Sequence, residues 1–175
     1  MFNWYKKSMI KTCMNKSFVD ACVDVNLSKT LVYGPGIEPF YNGISKFTKG
    51  LTNQQSGIIG AIVMSSSYLE ESNRKIKELD ESDYKKEIYA NMYELNIAKR
   101  YLEQALLLLM TDAGSNWKAI ASAYVKAMSY FGEDSKLNEI EFTQAVNDLN
   151  PNGLEIDYDF IESVQQKKDR QNSGL

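Results

Sequence analysis

A chain of 175 residues with 43% hydrophobic and 25% charged residues is long enough for one domain with a buried core and has an ordinary soluble composition. It contains no histidine, which excludes histidine triads and general bases, the common zinc sites and imidazole pH switches, and argues against an enzyme. The net charge of −3 hides an asymmetry: residues 1–50 hold seven lysines against Asp20, Asp24 and Glu38, while the segment from Glu133 to Glu162 is strongly acidic and contains a single lysine, Lys136.

Such segments can be two solvated faces of one molecule. Alternatively, the basic part of one copy meets the acidic part of the next, in head-to-tail contacts that close into rings when the rotation allows. Cys13 and Cys22 are too few for a disulfide framework and are expected as reduced, partly buried thiols.

Residues 1–16, with Trp4 and Tyr5 among Lys6, Lys7, Lys11 and Lys16, fit a short amphipathic helix that could act as an arm on a neighbouring subunit. The same residues could touch nucleic acid through phosphates and stacking. The acidic overall balance and the lack of arginine in the first 50 residues weigh against nucleic acid as a specific partner. From Phe18 two patterns compete. Val23, Val25 and Leu27, followed by Thr30–Tyr33, suggest a small hairpin, whereas Phe18, Val19, Cys22, Val23 and Leu27 fit a helix. Gly34-Pro35-Gly36 and Pro39 through Gly43 predict a loop. With Lys46 and Lys49 it superficially suggests a phosphate loop, but the glycine-lysine-serine/threonine ending is missing.

Helical periodicity then dominates. Ile58, Ile62, Leu69, Ile76 and Leu79 form a seam over Gly57–Leu79, with Gly60 as a weak point. After the acidic link Asp80–Asp83, a long helix is predicted from Asp83 to Thr111. One face carries Tyr84, Ile88, Met92, Leu95, Leu102, Leu106 and Leu109; the other carries Tyr89, Tyr93, Ile97, Tyr101 and Leu108. A surface helix needs only one apolar stripe, so cover on both sides and a central position are expected. Lys86, Arg100 and Gln104 share the tyrosine face, which favours a partly polar contact. Core packing and a protein–protein surface both remain open for it.

Gly114 and Ser115 suit a helix end and the next start. A helix over Asn116–Phe131 should bury Trp117, Ile120, Tyr124 and Met128, and another, from Ser135 or Lys136 to Asn147, should bury Leu137, Ile140 and Val146. Asn150-Pro151-Asn152-Gly153 marks a turn. Leu154, Ile156, Tyr158 and Phe160 alternate as in a short strand, and Gln165–Leu175 is polar.

Asp148, Asn150, Asn152 and Asp159 sit at positions 1, 3, 5 and 12 of a calcium-loop pattern with Gly153 at position 6. Glu155 in place of an apolar residue, Asp159 in place of glutamate and Pro151 at position 4 make an ordinary turn the better reading. The acids Glu133, Asp134, Glu139 and Glu141 could include a catalytic pair only if burial separated their pKa values, and a solvated helix face is expected instead. The first residues lack the apolar stretch of a secretory signal, and the longest apolar runs, Gly57–Met64 and Ala105–Met110, fall far short of the roughly 20 residues of a membrane span.

The expected fold is mainly α: a helical bundle on a long antiparallel helical hairpin with one or two short edge strands. It forms one domain over 1–175, with an arm and loop region at 1–50, a helical core at 51–164 and a flexible tail at 165–175. The expected function is a non-enzymatic assembly subunit without cofactor or membrane partner, contacting other subunits through Trp4, Tyr5, Tyr89, Tyr93, Ile97 and Tyr101. It would form a homo-oligomer or multi-protein complex in the cytoplasm or in a virus particle assembled there. A ring-forming virion component such as a phage head-tail connector or adaptor is the most specific version. The alternative is a regulatory module that binds calcium or a peptide through the acidic C-terminal third.

Overall fold

The structure is a computed structural model that describes residues 2–23, 36–79, 83–132 and 137–174. These fold mainly into helices: α1 (Phe2–Ala21), α2 (Ile37–Ile44), α3 (Asn53–Glu78), α4 (Asp83–Asp112), a 3-10 turn (Gly114–Asn116), α5 (Trp117–Phe131), α6 (Glu139–Asp148) and α7 (Tyr158–Ser173). The hairpin considered for Val23–Tyr33 and the acids Glu133 and Asp134 lie outside the described residues, Val23 apart.

The centre of the molecule is the first half of α3, where every residue from Ser56 to Ser66 is buried. The chain carries no charged side chain between Lys49 and Glu70, so this helix can be covered all round. Its start is fixed by a capping box. The Gln55 N–H donates to Thr52 Oγ1 (3.1 Å) and the Thr52 N–H to Gln55 Oε1 (3.0 Å), a pairing that satisfies two otherwise orphaned donors.

The central, two-sided position expected for the Asp83–Thr111 helix therefore belongs to α3. Helix α4 buries Ile88, Leu95, Ala98, Leu102, Leu106, Leu107 and Met110. It packs extensively on α3, from which only residues 79–82 separate it.

Helix α1 makes the other extensive contact with α3. Ile10, Met14, Phe18 and Ala21 recur at helical spacing and are all buried, so α1 packs into the core. The glycines of α3 explain how the helices approach. A Cβ on Gly57 would stand 2.5 Å from Cys13 Cβ and 2.9 Å from its backbone carbon, and one on Gly60 would stand 2.6 Å from the end of Met14. The weakness that Gly60 brings to an isolated helix is offset by close packing.

Pro39 and Gly43, expected in a loop, lie inside α2. Pro39 occupies its first turn, where no intrahelical acceptor awaits the missing N–H. A Cβ at Gly43 would stand 2.2 Å from the Phe131 ring, so the glycine lets α2 lie against α5. Aromatic rings continue that join: Phe18 meets Tyr68, Tyr68 meets Phe40, and Phe40 meets Phe131, with centroids 5.5–6.5 Å apart. Edge-on and tilted pairs of this kind add attraction beyond their buried area.

Helix α5 buries Ile120, Ala121 and Ala127 and packs Trp117, Tyr124 and Met128 on the core, as its spacing predicts. Gly114 has φ +54° and leads into the 3-10 turn, which replaces the cap expected from Ser115.

Helix α6 departs from its prediction. Val146 is buried, but Ile140 is 81% exposed and Leu137 40%. Asn138 caps the helix through the Ile140 and Glu141 N–H groups, and the inward face is Phe142, Ala145, Val146 and Leu149. Ile140 stands about 200° from Phe142 on the wheel.

No strand occurs among the described residues. The alternation at 154–160 is overridden by Asp157, whose Oδ1 accepts the Phe160 N–H at 2.9 Å and starts α7. That helix runs through the predicted tail to Ser173.

Candidate interaction surface

The tyrosine stripe of α4 divides into a covered half and an open half. Ile97 and Tyr101 are partly buried, whereas Tyr89 and Tyr93 are 53% and 63% exposed. The cover is α7, whose chief helical neighbour is α4. Val164 is the one buried residue of α7, and polar groups do most of the joining. Arg100 pairs with Asp157 at 2.6 Å and lays its guanidinium 4.1 Å from the centre of the Phe160 ring. The Asp157 N–H donates to Gln104 Oε1 (2.9 Å), and Gln165 Nε2 donates to the Tyr101 hydroxyl (3.3 Å). Farther along, Lys168 Nζ donates to the carbonyl oxygens of Val19 (3.2 Å) and Asp20 (2.5 Å). It supplies to the end of α1 the positive charge its own last turn lacks.

The sequence marks Arg100 and Gln104 as polar members of the tyrosine face, and the structure joins both to Asp157. The role of Asp157 as cap and ion-pair partner was not anticipated. An acid three residues before Phe160 was the available signal. Where α7 leaves the open tyrosines, a shallow groove of about 370 Å³ runs between Tyr93, Asn96 and Ile97 on one side and Phe160, Ser163 and Lys167 on the other.

Trp4 and Tyr5, on the first turns of α1, are 75% and 62% exposed. Among the described residues no ring contact joins them to Tyr89 or Tyr93. Their basic neighbours are partly engaged within the chain. Lys7 pairs with Glu38 at 2.6 Å, Lys11 pairs with the same carboxylate, and both ammonium groups lie over the Tyr41 ring. Desolvation, and then the charge of Lys7, hold the Lys11 ammonium below the ordinary lysine range. Lys6 and Lys16 are exposed.

Two of the calcium-loop candidates, Asp148 and Asn150, have a side-chain oxygen engaged locally. Asp148 Oδ1 accepts from Gln144 Nε2 (2.6 Å), and Asn150 Oδ1 accepts the Asn152 N–H (3.1 Å) in a turn closed by the Gly153 N–H on the Asn150 carbonyl. Asp159 lies in the first turn of α7. Among the described residues, no three His, Cys, Asp or Glu side chains gather as a metal site would require.

A second concavity lies between α5 and α6, lined by Phe47, Lys126, Tyr130, Leu137 and Phe142. Its lining Lys126 stands over the Phe142 ring at 5.4 Å, and Lys46 nearby stands over the Tyr130 ring at 4.6 Å, both cation–π contacts.

Between α4 and α5, Tyr124 donates to Glu103 Oε1 (3.3 Å). Burial, then that carboxylate, push the phenol far above its usual range; such a group holds its proton and joins two helices. No described helix is long and apolar enough to cross a membrane. Comparisons with protein-family models, with curated proteins and with solved structures each returned no match.

Proposed function

We propose that this protein is a non-enzymatic assembly subunit that joins copies of itself or other proteins through the exposed half of the α4 tyrosine stripe, with Trp4 and Tyr5 as a second contact. The observation that carries this reading is the exposure of Tyr89 and Tyr93 on one stripe with the covered Ile97 and Tyr101. Tyrosine supplies a large apolar area and a hydroxyl that tolerates a wet rim, which suits an interface better than open solvent. The scaffold in this reading is an antiparallel hairpin of α3 and α4, favoured by the short step from Leu79 to Asp83. Its most specific form is a ring-forming virion component such as a head-tail connector or adaptor.

Sedimentation velocity over a range of concentrations tests the reading. The parent chain is expected to associate, and Tyr89→Ser with Tyr93→Ser to lower the associated fraction at least tenfold while helix content stays unchanged. A chain that stays monomeric at every concentration, with no partner in its native source, sinks the proposal.

A further inference from the structure

Helix α7 is held to the rest of the molecule by contacts of a different kind from those of the core helices. Of its sixteen residues only Val164 is buried. Its other joins are polar: Arg100 to Asp157 and to the Phe160 ring, Gln165 to the Tyr101 hydroxyl, and Lys168 to the carbonyls that end α1. The Arg100 and Asp157 side chains are both substantially exposed. Groups of this kind find water when they part, so each adds little net stability. The turn that leads into α7 is open too, with Asn152 through Glu155 exposed.

What α7 hides is the continuation of the open stripe on α4. Tyr89 and Tyr93 are open, while Ile97 and Tyr101, the next two steps of four, are partly buried. The groove between Tyr93, Ile97, Phe160 and Lys167 marks the edge of the cover. Two tyrosines, each a little over half exposed, offer an area on the order of 250 Å². A stable interface takes roughly 800 Å² from each partner. The open half is thus a foothold, and the covered half doubles its apolar side chains along about 18 Å of helix.

We infer that α7 is a lid: it lifts from α4 as a unit while the core stays folded, and lifting joins Ile97 and Tyr101 to Tyr89 and Tyr93 in one stripe that a second copy packs on. The inference rests on the assembly reading and gives its site a regulation. A surface exposed in only a fraction of molecules binds with an affinity lowered by that fraction, so the closed lid holds association down. Elements that open ahead of the core are the ones with few buried apolar contacts, which describes α7.

The test opens the lid at Val164 in the full-length chain and leaves Arg100 and the Asp157 cap untouched. Hydrogen exchange read by mass spectrometry should show Tyr158–Ser173 of the parent exchanging at least about a hundredfold faster than Ser56–Ser66. In Val164→Asp, α7 should lose its remaining protection while Ser56–Ser66 keeps the parent rates. Sedimentation velocity should then show association strengthened about tenfold. Val164→Ala should give the same pattern at smaller size. Adding Ile97→Ser to Val164→Asp should cancel the gain, because that residue is part of the uncovered stripe.

Loss of protection in Ser56–Ser66 together with α7 would make α7 part of the cooperative core and overturn the lid. So would a released α7 with unchanged association, or a gain that survives Ile97→Ser. Parent association that depends on Tyr89 and Tyr93 would in those cases leave the assembly reading standing. No association in the parent or in any variant would remove both.

Discussion

Two seams in this molecule are built in opposite ways. Between α1 and α3 the backbones approach closely because Gly57 and Gly60 have no side chains, and Ile10, Met14 and Phe18 fill the contact. Between α4 and α7 the helices meet through one buried valine and a set of polar bonds. Apolar contact gains free energy in proportion to area and leaves nothing to re-pair when opened. Partly exposed polar contacts exchange one set of hydrogen bonds for another with water, so they set position with little net stability. The first seam defines the fold; the second is suited to opening.

The largest effect should come from the first seam. Met14 is fully buried, and Met14→Ala should lower unfolding free energy in chemical denaturation by about 2–5 kcal/mol, through lost transfer energy and a residual cavity. A loss under about 1 kcal/mol would mean that α1 is not part of the cooperative core.

Next in size is Gly57→Ala. Helix propensity alone would make it stabilising by about 1 kcal/mol, yet the added carbon would stand 2.9 Å from the Cys13 backbone. Overpacking against backbone should win and destabilise by about 1–3 kcal/mol, which the thermal midpoint would report. A higher midpoint would show that the helices can move apart freely.

The smallest effect is expected at the second seam. A double-mutant cycle on Arg100→Ala and Asp157→Ala should give a coupling of about 0–1 kcal/mol, reduced by salt, because both side chains are substantially exposed. A coupling near the Met14 value would make α7 an integral element, and the contrast between the seams would disappear.

Local patterns predicted much of the helical framework. The 3.6-residue spacing of Leu95, Leu102 and Leu106, and of Ile120, Tyr124 and Met128, marked faces that the structure packs on the core. The failures have local causes. Pro39 and Gly43 look like loop residues until α5 is seen to need the space above Gly43, and the period-two run at 154–160 yields to the Asp157 cap. Inward placement of Ile140 failed because it stands about 120° from the buried Val146 on the wheel, so one face cannot bury both.

The candidate surface was half legible. The stripe of Tyr89, Tyr93, Ile97 and Tyr101 follows from spacing of four. Its division into open and covered parts does not, since α7 is more than 50 residues away in the chain from the Arg100 it meets.

By itself the sequence determined the helical class, the apolar faces and the absence of imidazole chemistry, because these depend on residue type and periodicity within a few turns. The tertiary structure alone decided which helix is central and which tyrosines remain in solvent. Both depend on distant segments arriving at one place: α1 against the glycines of α3, and α7 against Arg100 of α4. Such meetings are set by the packing of the whole chain, and spacing within one segment carries no record of them.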